Sequence, residues 1–201
     1  MPGPNVRIGL ATLLVLLPAM TATLAAQASR VDALLARLST MPAGTHNSRI
    51  RADPIAGTDL VRVWVDANED DTRLYTPAGA QMDADFQVSC LVGRGRLPDA
   101  VSLLFETRGG LEPGGQGPRA LVIRADSRVL AVAQRENALA RSGPLLFLSL
   151  QADVPFEEFL ALTTSGAVEG RIWDVPFRML DSQLDLLRAW VVRVVGISTG
   201  A

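Results

Sequence analysis

The chain has 201 residues, with 19 Arg and no Lys, 21 acidic residues, one His and one Cys. Without lysine there is no Schiff base, no P-loop lysine and no lysine general base, and one His plus one Cys cannot make a zinc site of the usual composition. The missing Lys beside abundant Arg fits the codon bias of a GC-rich bacterial genome, and the formal charge of −2 carries no whole-domain attraction to nucleic acid or anionic lipid.

Residues 1–28 have the layout of a secretory leader. Arg7 and the amino terminus supply the positive region, Ile8 to Leu17 the apolar stretch, and Ala26-Gln27-Ala28 the small residues around a cut. The apolar run is short of the roughly 20 residues that span a bilayer, and Pro18 and Thr21 to Thr23 polarise its end. Cleavage after Ala28 is expected, which gives a periplasmic or secreted address and no membrane span afterwards. The mature part, 173 residues with 18 Arg and 21 acids, is the size of one domain. Its lone Cys90 has no partner for an internal disulfide, so the core alone must hold the fold.

Arg30 to Ser39 carries Val31, Leu34, Leu35 and Leu38 at helical spacing, and Met41 to Gly57 is polar and turn-rich, so a short helix and a loop are expected over 29–57. The remainder, 58–201, is expected to form a single domain. In Leu60 to Asp66, Val61, Val63 and Val65 share one face while Arg62 and Trp64 share the other, the period of a strand. Asp85 to Val92 repeats the pattern with Phe86, Val88, Cys90 and Val92. Ala100 to Thr107, Ala120 to Ala125, Val129 to Ala133 and Leu145 to Leu150 are further runs of strand type, separated by turn material such as Gly109-Gly110 and Pro113-Gly114-Gly115. Short strands at regular spacing predict a mostly-β, α+β fold: an antiparallel β-sandwich with a short N-terminal helix and an α/β C-terminal end.

Pro155 to Leu162 predicts a helix, with Asp153 as its cap, and Val168 to Phe177 predicts one strand in which Trp173, Val175 and Phe177 alternate with polar residues. Ser182 and Asp185 have capping-box spacing ahead of the stripe Leu184, Leu187, Val191 and Val194; the β-branched run after Trp190 leaves a helix or a strand open there. Charge is uneven along the chain. Residues 53–85 hold 8 acids and 2 Arg, whereas 94–141 hold 8 Arg and 5 acids, and pairing of these oppositely charged strands across the sheet is expected.

No chemical motif is complete. Gly196-Ile197-Ser198-Thr199-Gly200 has the letters of a nucleophile elbow but lacks the helix that must follow the serine, and His46, the one candidate base, sits in a polar loop. Asp66, Asn68 and Asp70 hold the first, third and fifth places of a calcium loop and are the candidate metal ligands. Asp71 and Pro77 stand where Gly and Glu belong, so the helical form of that loop is excluded and a simpler site in a strand connection remains. Glu157 and Glu158 are adjacent and diverge on a helix; Asp83 and Asp85 face one way on a strand with no evident partner. Cys90 is read as a buried thiol, and no catalytic residue or cofactor is assigned. Trp64 and Trp173 are the candidate ligand-binding residues, through aromatic stacking.

Taken in order, the leader, the strand bearing Trp64 with the acidic Asp70-Asp71 turn, the strand from Phe86 to Cys90, the helix, the strand with alternating aromatics and the closing helix with Leu187-Arg188 resemble the small periplasmic β-sandwich proteins of the VasI type, associated with type VI secretion. The likeness runs from about Val61 to Val194 and is one of order and pattern. The chain departs from it in the glycine-rich connection from Gly109 to Pro118 and in lacking a closing cysteine, which puts a disulfide from Cys90 in doubt. The resemblance implies a non-enzymatic accessory protein acting through contacts. The expected function is therefore an exported accessory or interaction protein of a secretion or envelope system, whose partner is another envelope or secreted protein. A small-ligand or glycan-binding module built on Trp64 and Trp173 is the first alternative, and a calcium- or carboxylate-dependent hydrolase the second.

Overall fold

The computed structural model describes residues 28–41, 49–65, 72–108, 121–126, 128–131, 134–142, 145–172 and 175–200. The fold is mostly antiparallel β, with three helices among the described residues. The strands are β1 (Ile50–Pro54), β2 (Leu60–Val65), β3 (Arg73–Tyr75), β4 (Gln81–Gly93), β5 (Ala100–Arg108), β6 (Leu121–Ala125), β7 (Arg128–Ala131), β8 (Gln134–Ser142), β9 (Leu145–Pro155), β10 (Val168–Ile172) and β11 (Val175–Arg178). Helix α1 covers residues 28–39, α2 Phe156–Thr163 and α3 Asp181–Thr199.

The ladder runs β7-β6-β10-β11-β3-β4-β5-β9-β8, and β2 with its partner β1 branches from the C-terminal half of β4. The two ends of that path are consecutive in the chain: β7 stops at Ala131 and β8 starts at Gln134. Three peptide links reach at most about 11 Å, so the first and last strands are held together and the sheet must roll up. A second observation agrees. Phe105 on β5 and Phe177 on β11 are separated by three strand steps, about 14 Å in a flat sheet, yet their ring centroids lie 5.7 Å apart. The rings meet across the interior, so two walls of the rolled sheet face each other over one core, as the layers of a sandwich do.

Alternation decides what fills that core. Phe86, Val88, Cys90 and Val92 on β4, Val101, Leu103 and Phe105 on β5, and Leu150, Ala152 and Val154 on β9 are buried. Asp83, Gln87 and Ser89, Ser102 and Glu106, and Gln151 and Asp153 take the opposite positions on the same strands and are at least partly exposed. Apolar-in and polar-out is the reverse of a lipid-embedded barrel. Among the described residues no helix is long and apolar enough to cross a membrane.

Helix α3 lies on the inner faces of β2 and β4, and α2 packs on α3, β5 and β9. Trp190 is fully buried and meets Phe159 edge-on at 5.3 Å, the favoured aromatic geometry. The β-branched stretch after Trp190 stays helical to Thr199 and ends on Gly200 at φ 76°, the left-handed position that glycine adopts without a Cβ clash. The cap differs from the expected one: Gln183 Oε1 accepts the Leu180 amide at 2.9 Å, two residues earlier than the Ser182 and Asp185 spacing suggests. Helix α1 presents Val31, Leu34, Leu35 and Leu38 to the core as expected.

Three expectations are corrected. The stretch 41–57 is not all loop, because Ile50–Pro54 pairs with β2 from Ile50 opposite Val65 to Pro54 opposite Val61. The run from Val168 to Phe177 is two antiparallel strands paired with each other, with Ile172 opposite Val175. Among the described strand pairs, no acid of the 53–85 segment is registered opposite an Arg of the 94–141 segment. Asp85 stands opposite Glu106, while Glu169 of β10 takes Arg124 and Arg178 as its neighbours on either side.

Candidate functional site

Cross-strand registers assemble one open surface from separate parts of the chain. On the outer face of β2, β4, β5 and β9, Trp64 lies opposite Ser89, Ser89 opposite Ser102, and Ser102 opposite Asp153. One step along the strands, Gln87, Leu104 and Gln151 form the next row. Gln87 donates to Glu106 Oε2 at 3.1 Å and Gln151 to Ser102 Oγ at 2.8 Å, so these rows are laced side chain to side chain.

Residues Arg62, Ser89, Leu91, Asp99, Ser102 and Asp153 border an open depression of about 360 Å³ on this face. Arg62 is exposed and its guanidinium carbon sits 5.4 Å from the centroid of the half-buried Trp64 ring, within cation–π range. Leu91 is 50% exposed, unusual for a leucine in the middle of a sheet face. Asp99 is engaged by Arg96 through both carboxylate oxygens at 2.8 Å, whereas Asp153 stands exposed on β9.

The remaining sequence candidates fall as follows. Trp64 and Arg62 share the outer face, as their spacing requires. Trp173, Asp66, Asn68, Asp70 and His46 lie outside the described residues, as do residues 1–27 and the glycine-rich 109–117. Ser198 donates to Val195 O at 2.8 Å inside α3, so the elbow motif is the last turn of a helix. Glu157 accepts Arg30 at 2.6 Å and so ties α1 to α2. Asp83 and Asp85 do share a face, but Asp85 is buried beside Arg73 at 3.8 Å while Asp83 is exposed. Asp153, expected as a helix cap, is a strand residue: Pro155 holds the N-terminal cap position with ψ 137° and no side chain caps that end of α2. Among the described residues no three of His, Cys, Asp and Glu gather to hold a metal ion.

Burial pushes the Cys90 thiol from its ordinary 9.0 up to about 12. The sign of the linkage follows: below about pH 9 both folded and unfolded thiols keep their proton and stability is unaffected. Between 9 and 12 the unfolded chain loses the proton that the folded chain retains, so stability falls, by up to about 1.4 kcal/mol per pH unit. In the native protein at about pH 8, Cys90 is expected to resist a thiol reagent that labels the urea-unfolded chain fully. Stoichiometric labelling under native conditions contradicts that burial.

Neither a family model, nor a curated protein, nor a solved structure matches this chain.

Proposed function

We propose that the protein is an exported accessory protein that acts by contact and without catalysis, in a secretion or envelope system, and that its contact surface is the outer face of β2, β4, β5 and β9. The observation that carries this reading is the Arg62–Trp64 stack beside the exposed Leu91. Trp and Arg are the side chains that supply most binding energy once covered, and a polar, open rim around them is the anatomy of a protein interface. The same stack weighs against the glycan reading, because a sugar platform needs the ring face over which the Arg62 guanidinium lies. The order of features that resembles the VasI-type proteins points the same way.

The test is site-specific photocrosslinking in the cell envelope. A photoreactive residue at Leu91 is expected to give a discrete higher-mass adduct, and the same residue at Arg171, exposed on β10, is expected to give none. Equal adducts from both positions, or none from Leu91, would overturn the reading.

A further inference from the structure

We infer that the protein holds a small tetrahedral oxyanion, a phosphate or sulfate group, in a second hollow, formed by α1, the end of the β6–β7 hairpin and the C-terminal turn of α2. This hollow, about 200 Å³, shares no residue with the depression described above, and the inference does not rest on the contact reading. Its lining carries Arg30 and Arg37 of α1 and Arg128 of β7 against one acid, Asp126. Arg30, Leu34 and Arg37 are spaced by four and then three residues, so they share one side of α1, the two Arg about 10 Å apart along the axis. Arg128 reaches the same space from the sheet. It stands opposite Ala125, and directly opposed residues share a face; Ala125 is buried, so Arg128 leaves the end of the hairpin on its core-facing side.

Converging cations repel each other unless counter-charge lies between them, and the chain supplies too little of it here. Glu157 of α2 takes Arg30 at 2.6 Å. Asp126 Oδ1 accepts the amides of Gly166 at 3.1 Å and Ala167 at 3.3 Å, and at φ 53° this residue locks the turn that places Arg128. Glu158, exposed on α2, does not border the hollow. Arg37 and Arg128 have no hydrogen-bond or ion-pair partner among the described residues. The negative end of α2 does not occupy them either, because its carbonyls are already taken. Leu160, Ala161 and Leu162 O accept the Thr164 and Ser165 hydroxyls, and Thr163 and Ser165 O accept Arg188. Two unpaired guanidinium forks around a space of this size fit an anion with several oxygens, each fork donating to a different pair. A monocarboxylate has one pair of oxygens and satisfies one fork only.

Calorimetric titration of the purified chain with sodium phosphate and, separately, sodium sulfate, at constant ionic strength in chloride, is expected to show saturable one-to-one binding tighter than about 1 mM for at least one of them. The anion that binds more tightly identifies the source. Arg37→Ala and Arg128→Ala, on different elements, are each expected to weaken binding at least about 10-fold, and Arg128→Lys, which keeps the charge without the fork, by less than Arg128→Ala. Arg124→Ala removes the same charge from the outer face of β6 and is expected to bind within about 2-fold of wild type. Acetate is expected to bind at least about 10-fold more weakly than the better anion. Circular dichroism of each variant checks the fold. Heat that never saturates, an adventitious ion only, would overturn the site. So would Arg37→Ala or Arg128→Ala binding as wild type, an Arg124→Ala loss equal to theirs, or acetate binding as tightly as the better anion.

Discussion

Gly170→Ala is expected to destabilise the protein by about 3 kcal/mol, the upper end of what overpacking costs, because the added methyl has nowhere to go. Gly170 lies opposite Phe177 in the β10–β11 pair, and the Phe177 ring occupies the space that a side chain at 170 would use. A Cβ built there lies 2.5 Å from Phe177 Cε1, closer still to Cζ, and 2.5 Å from the carbonyl oxygen of Val122 on β6. The ring cannot swing aside cheaply, since Phe177 is fully buried and its other side meets Phe105 at 5.7 Å. The carbonyl cannot retreat either, because β6 and β10 are paired from Leu121 opposite Ile172 to Ala125 opposite Val168. Phe177→Leu in the Gly170→Ala background removes the ring contact but not the carbonyl contact, so it is expected to recover part of the loss. Denaturant unfolding of the two variants checks this; a Gly170→Ala protein within about 0.5 kcal/mol of wild type would refute the packing described.

The contrast between Gly170 and the rest of its strand shows where the sequence is readable. On β4 the period of two from Phe86 to Val92 is visible because one face is buried and the other is polar, and the structure extends the same parity back to Met82. On β10 and β11 the apolar residues continue from one strand into the next, and no Gly, Pro or Asn stands between Ile172 and Val175 to mark two strands. Strand β8, Gln134–Ser142, has a polar, alanine-bearing sequence with no strand signature of its own; its conformation comes from pairing with β9 from Leu145 to Ala152. The rolling of the sheet depends on where β7 and β8 sit in the ladder, a relation between distant strands that no local pattern encodes.

The candidate site divides in the same way. That Arg62 and Trp64 share a face follows from their spacing of two residues. That Ser89, Ser102 and Asp153 join them follows only from the registers of three separate strand pairs. Asp153 shows why local reasoning fails there: two residues before a proline and ahead of an apolar helix, it has the setting of a cap, but β9 runs on to Pro155 and keeps Asp153 on the outer face.

Arg188→Met is expected to cost about 2–4 kcal/mol, because one buried guanidinium closes the end of a helix that has no cation of its own. Helix α2 carries two acidic residues in its first turn and no basic residue in its last. Its C-terminal carbonyls are served instead from α3: Arg188 Nε donates to Thr163 O at 2.9 Å and Nη2 to Ser165 O at 3.2 Å. The third corner of the fork, Nη1, donates to Asp185 Oδ1 at 2.6 Å, one helical turn back. Methionine keeps the apolar length of the side chain, so packing against α2 largely survives and the loss reports the bonds and the charge near the negative end of the helix. Arg188→Lys keeps the charge but cannot present three donors in fixed directions, and is expected to fall between wild type and Arg188→Met. Asp185→Asn should cost less than about 1 kcal/mol, since that carboxylate is partly solvated while the two carbonyl bonds remain. The order Asp185→Asn, Arg188→Lys, Arg188→Met in increasing loss, read from urea midpoints at constant slope, is the signature of a carbonyl-capping role. An Asp185→Asn loss equal to that of Arg188→Met would mean that the ion pair, not the cap, holds α2 against α3.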